Sequence, residues 1–125
     1  MRKKIIEIAE PFGVVAAIIP STNPTSTAMY KAIIAAKARC GIVMSPHPRA
    51  RACTAEALRV VAEAAYAAGA PEGLFTCLTD VTLGGTNALL EHPEVDVILA
   101  TGGSAMVREA YAKGKPAYGV GSGNV

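Results

Sequence analysis

Short apolar runs alternate with longer amphipathic stretches along all 125 residues, which predicts a doubly wound α/β domain: a five-stranded parallel sheet flanked by helices. Three observations carry this. The short runs are continuously apolar, as expected of strands covered on both faces. The stretches between them are long enough for helical crossovers, which parallel strands require. Segments rich in Gly, Pro, Ser and Thr follow the short runs, where an open parallel sheet binds its ligands.

Gly13 to Ile19 reads as the first strand, closed by Pro20. Thr22 and Asn23 are capping residues, and Pro24 tolerates a first helical turn, so a helix is predicted to about Ala38 with Met29, Ile33 and Ala36 on one face. Gly41 to Ser45 is the second strand. Pro46-His47-Pro48 blocks its continuation, and a helix follows from about Ala50 to Ala68, with Leu58, Val61, Ala62 and Ala65 inward and Gly69 at its stop. Beyond the Pro71-Glu72-Gly73 turn come a strand at Leu74 to Leu78 and a short helix at Gly85 to Leu90, ended by His92-Pro93. A strand at Val95 to Ala100, a helix at Ser104 to Ala112 and a strand at Pro116 to Val120 complete the order.

Half the residues are apolar (51%) and 18% are charged, which excludes a disordered segment. The net charge of +2 includes a basic "MRKK" start that reads as a solvated tail, and no broad basic surface with interleaved aromatics indicates nucleic acid. No apolar run approaches bilayer-spanning length, so no membrane role is expected. Cys40, Cys53 and Cys77 have neither metal-ligand nor C-x-x-C spacing. They are expected to be buried, inert thiols in a reducing, cytoplasmic setting, with no metal bound.

Five segments converge at the carboxyl ends of the strands: Pro20 to Asn23, Ser45 to Pro48, Leu78 to Thr82, Thr101 to Ser104, and Gly119 to Asn124. Thr101-Gly102-Gly103-Ser104 joins a strand to a helix and so offers free backbone N–H groups to an anion. The dinucleotide fingerprint G-x-G-x-x-G is nevertheless missing. Gly119-x-Gly121-x-Gly123 fails it, with Asn124 where the third glycine belongs, and each glycine alone also reads as a tight turn.

The segments "EPFGVVAAIIPSTNPTSTAMYKAIIAAKARCGIVMSPHPRA", "AAGAPEGL", "EHPEVDVILATGG" and "GKPAYGVGSGN" carry more together than apart. In this order and spacing the sequence resembles the Rossmann-like coenzyme-binding domain of the aldehyde dehydrogenase superfamily, and within it the CoA-acylating (acetylating) branch. The resemblance implies that residues 1–125 are a single, truncated dinucleotide-binding domain. It implies the reaction aldehyde + CoA + NAD⁺ ⇌ acyl-CoA + NADH for a parent enzyme whose catalytic domain and nucleophilic cysteine lie outside this chain. The chain alone is then expected to be inactive. An alternative is a free-standing nucleotide-binding or interaction module without redox activity, and domain faces left uncovered offer self-association into a homo-oligomer.

The resemblance also assigns residues. Pro20, Ser21 and Thr22 lie at the first strand-to-helix junction beside the nicotinamide. There Asn23 either contacts the oxyanion or caps the helix. Ser45, Pro46, His47 and Pro48 border the adenosine, with His47 otherwise a rigid loop residue. Thr82 and Thr86 match small residues of a neighbouring loop. Thr101, Gly102, Gly103 and Ser104 lie near the pyrophosphate, and Met106 packs on the cofactor. Gly119, Val120 and Gly121 complete the site. Gly119 stands where hydrolytic relatives carry the glutamate that activates water, so its absence turns the acyl group toward a thiol. Lys31 matches a common family lysine and equally reads as a snorkelling surface residue. The choice of NAD over NADP stays open, because Arg49 and Arg51 suit either a 2′-phosphate or a solvated helix face.

Overall fold

The computed structural model describes residues 4–121. Five strands and four helices follow in turn: β1 (Val14–Ile19), α1 (Pro24–Lys37), β2 (Gly41–Pro46), α2 (Arg51–Ala67), β3 (Phe75–Cys77), α3 (Leu83–Glu91), β4 (Val97–Thr101), α4 (Ser104–Ala112) and β5 (Ala117–Val120). A single 3₁₀ turn, Pro48–Ala50, leads into α2. The strands make one sheet in the order β3-β2-β1-β4-β5, every pairing parallel. The predicted element order is the observed one, with ends moved by one or two residues. The "MRKK" residues 1–3 and the end of the last glycine segment, 122–125, lie outside the described residues.

β1 explains why the sheet is covered on both sides. Val15, Ala17 and Ile19 face α1 and α2, in a core shared with Ile42, Met44, Leu58 and Phe75. Ala16 and Ile18 face the other way, in a second core with Leu90, Ile98 and Ala110 from the α3 and α4 side. Successive side chains of a strand point to opposite faces. An uninterrupted apolar run therefore feeds both cores, and a strand of that kind belongs in the middle of the sheet.

The reading of α1 needs correction. Ala28, Ala32 and Ala35 are buried, whereas Met29 (37% exposed) and Ile33 (56%) turn outward, and only Ala36 of the predicted face packs against the core. Alanines bring the helix axis close to β1, which offers Ala17 there, and bulkier side chains at this contact would hold the layers apart. The inward face of α2 is as expected: Leu58 and Ala62 are buried, and Val61 and Ala65 pack partly against the same core.

The cysteines divide. Cys40 is buried and Cys77 half-buried, but Cys53 is exposed, contrary to expectation. It lies in the first turn of α2, next to the inward-facing Thr54, and its thiol reaches only the Ala50 carbonyl, at 3.2 Å. At the amino end of the sheet, the carboxylate of Asp96 accepts the Val14 N–H at 2.8 Å. Gly13 makes room for this: its φ is +119°, and a Cβ there would lie 2.1 Å from Asp96 Oδ2.

Among the described residues no helix is long and apolar enough to cross a membrane, and no group of three or more His, Cys, Asp or Glu side chains gathers to hold a metal ion.

Candidate functional site

Strand order reverses beside β1. β2 follows it on one side, while the chain returns to its other side only at β4. The loops leaving β1 and β4 therefore part company at their carboxyl ends, and a crevice opens between them. One cavity of about 290 Å³ is lined by Ile18 to Pro20, Ser45 to Pro48, Val81 to Leu83, Thr86, Thr101 to Gly103 and Met106. A second, of about 650 Å³, is lined by Pro20 to Asn23, His47, Thr101 to Gly103, Val120 and Gly121. They share Pro20, His47, Thr101, Gly102 and Gly103, so together they form one continuous cleft.

α4 begins at this cleft. Gly103 is its cap residue and contributes no side chain over the first turn, and the space where its Cβ would point is empty to 4 Å. The first N–H groups of a helix have no partner within it, and they carry the positive end of the helix dipole. Among the described residues no acidic side chain lines either cavity, and His47 is the one titratable group in the lining. The cleft thus combines apolar walls, hydroxyls and a positive helix end, which suits an elongated ligand carrying phosphate.

The hydroxyls are not all available. Thr86 Oγ1 donates to the Thr82 carbonyl at 3.0 Å and lies 2.7 Å from Ser45 Oγ, so Ser45 donates to Thr86. Ser45, only 2% exposed, therefore belongs to the floor of the cleft. Thr82 accepts the Gly85 N–H at 2.9 Å and so caps α3. His47 accepts the Arg49 N–H through Nδ1 at 3.2 Å, which turns its ring about the Pro46–Pro48 corner. Arg51 reaches the Thr79 carbonyl at 3.3 Å, while Arg49 stays exposed.

Of the residues assigned from sequence, Pro20 to Asn23, Ser45 to Pro48, Thr82, Thr86, Thr101 to Gly103, Met106, Val120 and Gly121 line the cleft. Ser104 is the first residue of α4 and does not line it, and the Cα of Gly119 is turned toward Val107 and Tyr111. Asn23 occupies the cap position of α1, but its side chain makes no cap bond and instead accepts the Thr22 hydroxyl at 3.1 Å. Sequence reasoning missed Leu83, an exposed leucine at the cleft rim, although an apolar residue just before the Gly84-Gly85 pair was a visible sign.

Lys31 is no surface residue. It is 5% exposed, and its Nζ donates at 2.8 Å to the carbonyls of both Ile18 and Leu99. It thereby ties β1 to β4 at the foot of the crevice. Burial pushes its ammonium down to about 7. It also lines a further cavity of about 530 Å³ between α1 and β5, with Tyr30 and Tyr118 at the rim and Asn23, Thr101 and Val120 shared with the cleft.

Five parallel strands, helices on both faces and a crevice at the carboxyl ends define a Rossmann-like α/β domain of the ligand-binding kind. The chain belongs to the aldehyde dehydrogenase family, which it matches over residues 1–118. It is 51% identical over 119 residues to the bifunctional aldehyde-alcohol dehydrogenase AdhE of Escherichia coli, covering 95% of this chain and 13% of that protein. The crystal structure of an acetylating aldehyde dehydrogenase from Geobacillus thermoglucosidasius superposes with a TM-score of 0.92 at 63% identity, over 94% of this chain and 26% of that one. An engineered glycolyl-CoA reductase with bound NADP⁺ superposes with a TM-score of 0.87 at 40% identity, over 92% and 26%. The chain therefore spans only about an eighth to a quarter of the length of these relatives.

Proposed function

We propose that the cleft binds the adenosine and pyrophosphate of NAD or NADP, and that the chain is the coenzyme-binding domain of a CoA-acylating aldehyde dehydrogenase. The observation that carries this is the open amino end of α4, capped by Gly103 and facing a cleft free of carboxylates. Phosphate oxygens bind well at such a helix end. In this reading the open N–H groups at the start of α4, from Gly103 on, take the pyrophosphate with Gly102 beside it, Met106 packs on the cofactor, and Pro46 to Pro48 with the Ser45–Thr86 floor border the adenosine. Pro20 to Asn23, with Val120 and Gly121, face the nicotinamide.

The parent reaction is aldehyde + CoA + NAD⁺ ⇌ acyl-CoA + NADH + H⁺, with the nucleophilic cysteine on a catalytic domain elsewhere in the polypeptide. Two of its relatives, an acetylating aldehyde dehydrogenase and a glycolyl-CoA reductase, support this assignment. When bound, the nicotinamide accepts hydride. This chain's own residues bind and orient, and in this reading Asn23, which lines the cleft and makes no cap bond, donates its amide N–H to a carbonyl oxygen. Three free thiols are consistent with a reducing, cytoplasmic compartment.

Calorimetric titration with NAD⁺, NADP⁺ and CoA, with Gly103→Asp as control, tests the reading. Saturable dinucleotide binding is expected and is lost in the variant, because a carboxylate at the helix cap repels phosphate. Tighter binding of NADP⁺ than NAD⁺, lost in Arg49→Ala, would give Arg49 the 2′-phosphate. A folded chain that binds neither nucleotide defeats the proposal.

A further inference from the structure

The cavity of about 530 Å³ between α1 and β5 has Lys31 in its wall, together with Ile34, Leu99, Tyr118 and Val120. Lys31 stands one turn beyond Thr27 and one turn before Ala35 on α1, and both are buried. Its stem therefore runs along the inward face of the helix, toward the sheet rather than into solvent. Nζ donates at 2.8 Å to the carbonyls of Ile18 and Leu99 and has no third partner among the described residues. A neutral lysine amine has two N–H groups, so both are engaged and its lone pair is left uncommitted. The nitrogen is tetrahedral, which turns that lone pair away from both strand carbonyls. Burial holds the ammonium down to about 7, so about half of the chains carry the free amine at neutral pH, against fewer than about one in a thousand for an ordinary lysine. Among the described residues no carboxylate lines this cavity to restore the charge, and the phenols of Tyr30 and Tyr118 stand at its exposed rim.

We infer that Lys31 is a covalent capture site for small aldehydes, with Nζ as the nucleophile and the cavity between α1 and β5 as the room for the aldehyde's chain. The inference stands on this cavity and does not rest on the coenzyme reading. The Nζ lone pair attacks the carbonyl carbon, a C–N bond forms, and one nitrogen proton passes to the oxygen to give a carbinolamine. The hydroxyl then leaves as water with the second nitrogen proton, and a C=N imine remains, with no oxidant or reductant consumed. Ile34, Leu99 and Val120 offer apolar wall to the chain, and Thr27 and Thr101 add hydroxyls. Lys31 is the one cation in the lining, so an uncharged electrophile is favoured over a phosphorylated one. A protonated imine keeps a single N–H for two carbonyls, so capture also removes one of the two ties between β1 and β4.

The test is labelling of this chain with butanal and sodium cyanoborohydride at pH 7, which reduces each imine to a stable butyl amine, followed by peptide mass spectrometry. Lys31 gains the butyl group at least about tenfold faster than Lys37, an exposed lysine of the same helix. Its rate does not change in urea below the unfolding transition, because the folded chain is what reacts. Ser26→Phe, at an exposed position in the first turn of α1, fills the cavity and slows labelling of Lys31 at least about fivefold while Lys37 keeps its rate. Labelling of Lys31 slower than that of Lys37, or a Lys31 rate that climbs with urea, overturns the inference. So does an unchanged Lys31 rate in a folded Ser26→Phe chain, since the aldehyde then does not arrive through the cavity. Should Ser26→Phe not fold, the urea series on the unchanged chain decides alone.

Discussion

Replacing Lys31 by methionine tests how a buried cation is tolerated at the foot of the crevice. The drop of its pKa from 10.5 to about 7, caused by burial, corresponds to a cost of about 5 kcal/mol for holding the ammonium out of water, at about 1.4 kcal/mol per pH unit. The two hydrogen bonds, to the carbonyls of Ile18 and Leu99, hold the amine in place in either protonation state. Below pH 7, where Lys31 is charged in the folded and unfolded chain alike, that cost is fully present and the stability difference between Lys31 and methionine does not change with pH. Above pH 7 the folded and unfolded chains part. The unfolded chain still binds the proton that the folded chain has released, so raising the pH favours folding until about 10.5. Neutral lysine keeps N–H groups for both carbonyls. Urea denaturation of both proteins between pH 6.5 and 9 reads the difference directly. The advantage of Lys31 over methionine grows by up to about 1.4 kcal/mol per pH unit above 7, reaching about 3 kcal/mol of change by pH 9. Parallel stability curves for the two proteins, or an advantage that shrinks with pH, would refute the reasoning.

Gly13→Ala is expected to cost about 2–4 kcal/mol in denaturant titration, since the new methyl strains a positive φ and expels the Asp96 carboxylate from the Val14 N–H. Thr86→Val should cost about 1–3 kcal/mol by leaving the Ser45 hydroxyl buried without its partner, and adding Ser45→Ala should recover much of that loss. Alkylation followed by mass spectrometry should modify Cys53 first and Cys40 last, with Cys77 between them, because Cys77 is half-buried and burial pushes its thiol up.

The strands were legible because each is an apolar run whose composition matches its place in a covered parallel sheet. β1 is the plainest case, six apolar residues feeding two cores. The cleft segments were legible for a related reason, since strand ends in such a sheet can be found once the strands are known. Lys31 was not, because a lysine on a helix reads as a solvated side chain. What buries it is a pair of carbonyls 13 and 68 residues away in the chain. The buried face of α1 was hidden because apolar residues surround the helix, and only the closeness of β1 selects the alanines. The meeting of Tyr111 with Gly119 depends on how α4 lies across β5, which no local spacing encodes.

The central position of β1 also bears on the order in which the chain assembles. β1, α1 and β2 are neighbours in sequence as well as in space, so their union closes only short loops. The other flank of β1 must wait for β4, and the Val14–Asp96 contact spans 82 residues. Closing that loop costs more chain entropy and comes later. On a ribosome, β1 would emerge well before β4 and remain half-paired until β4 had followed. Substitutions at the β1–β2 seam should then slow folding, whereas those at the β1–β4 seam, Lys31 included, should chiefly hasten unfolding.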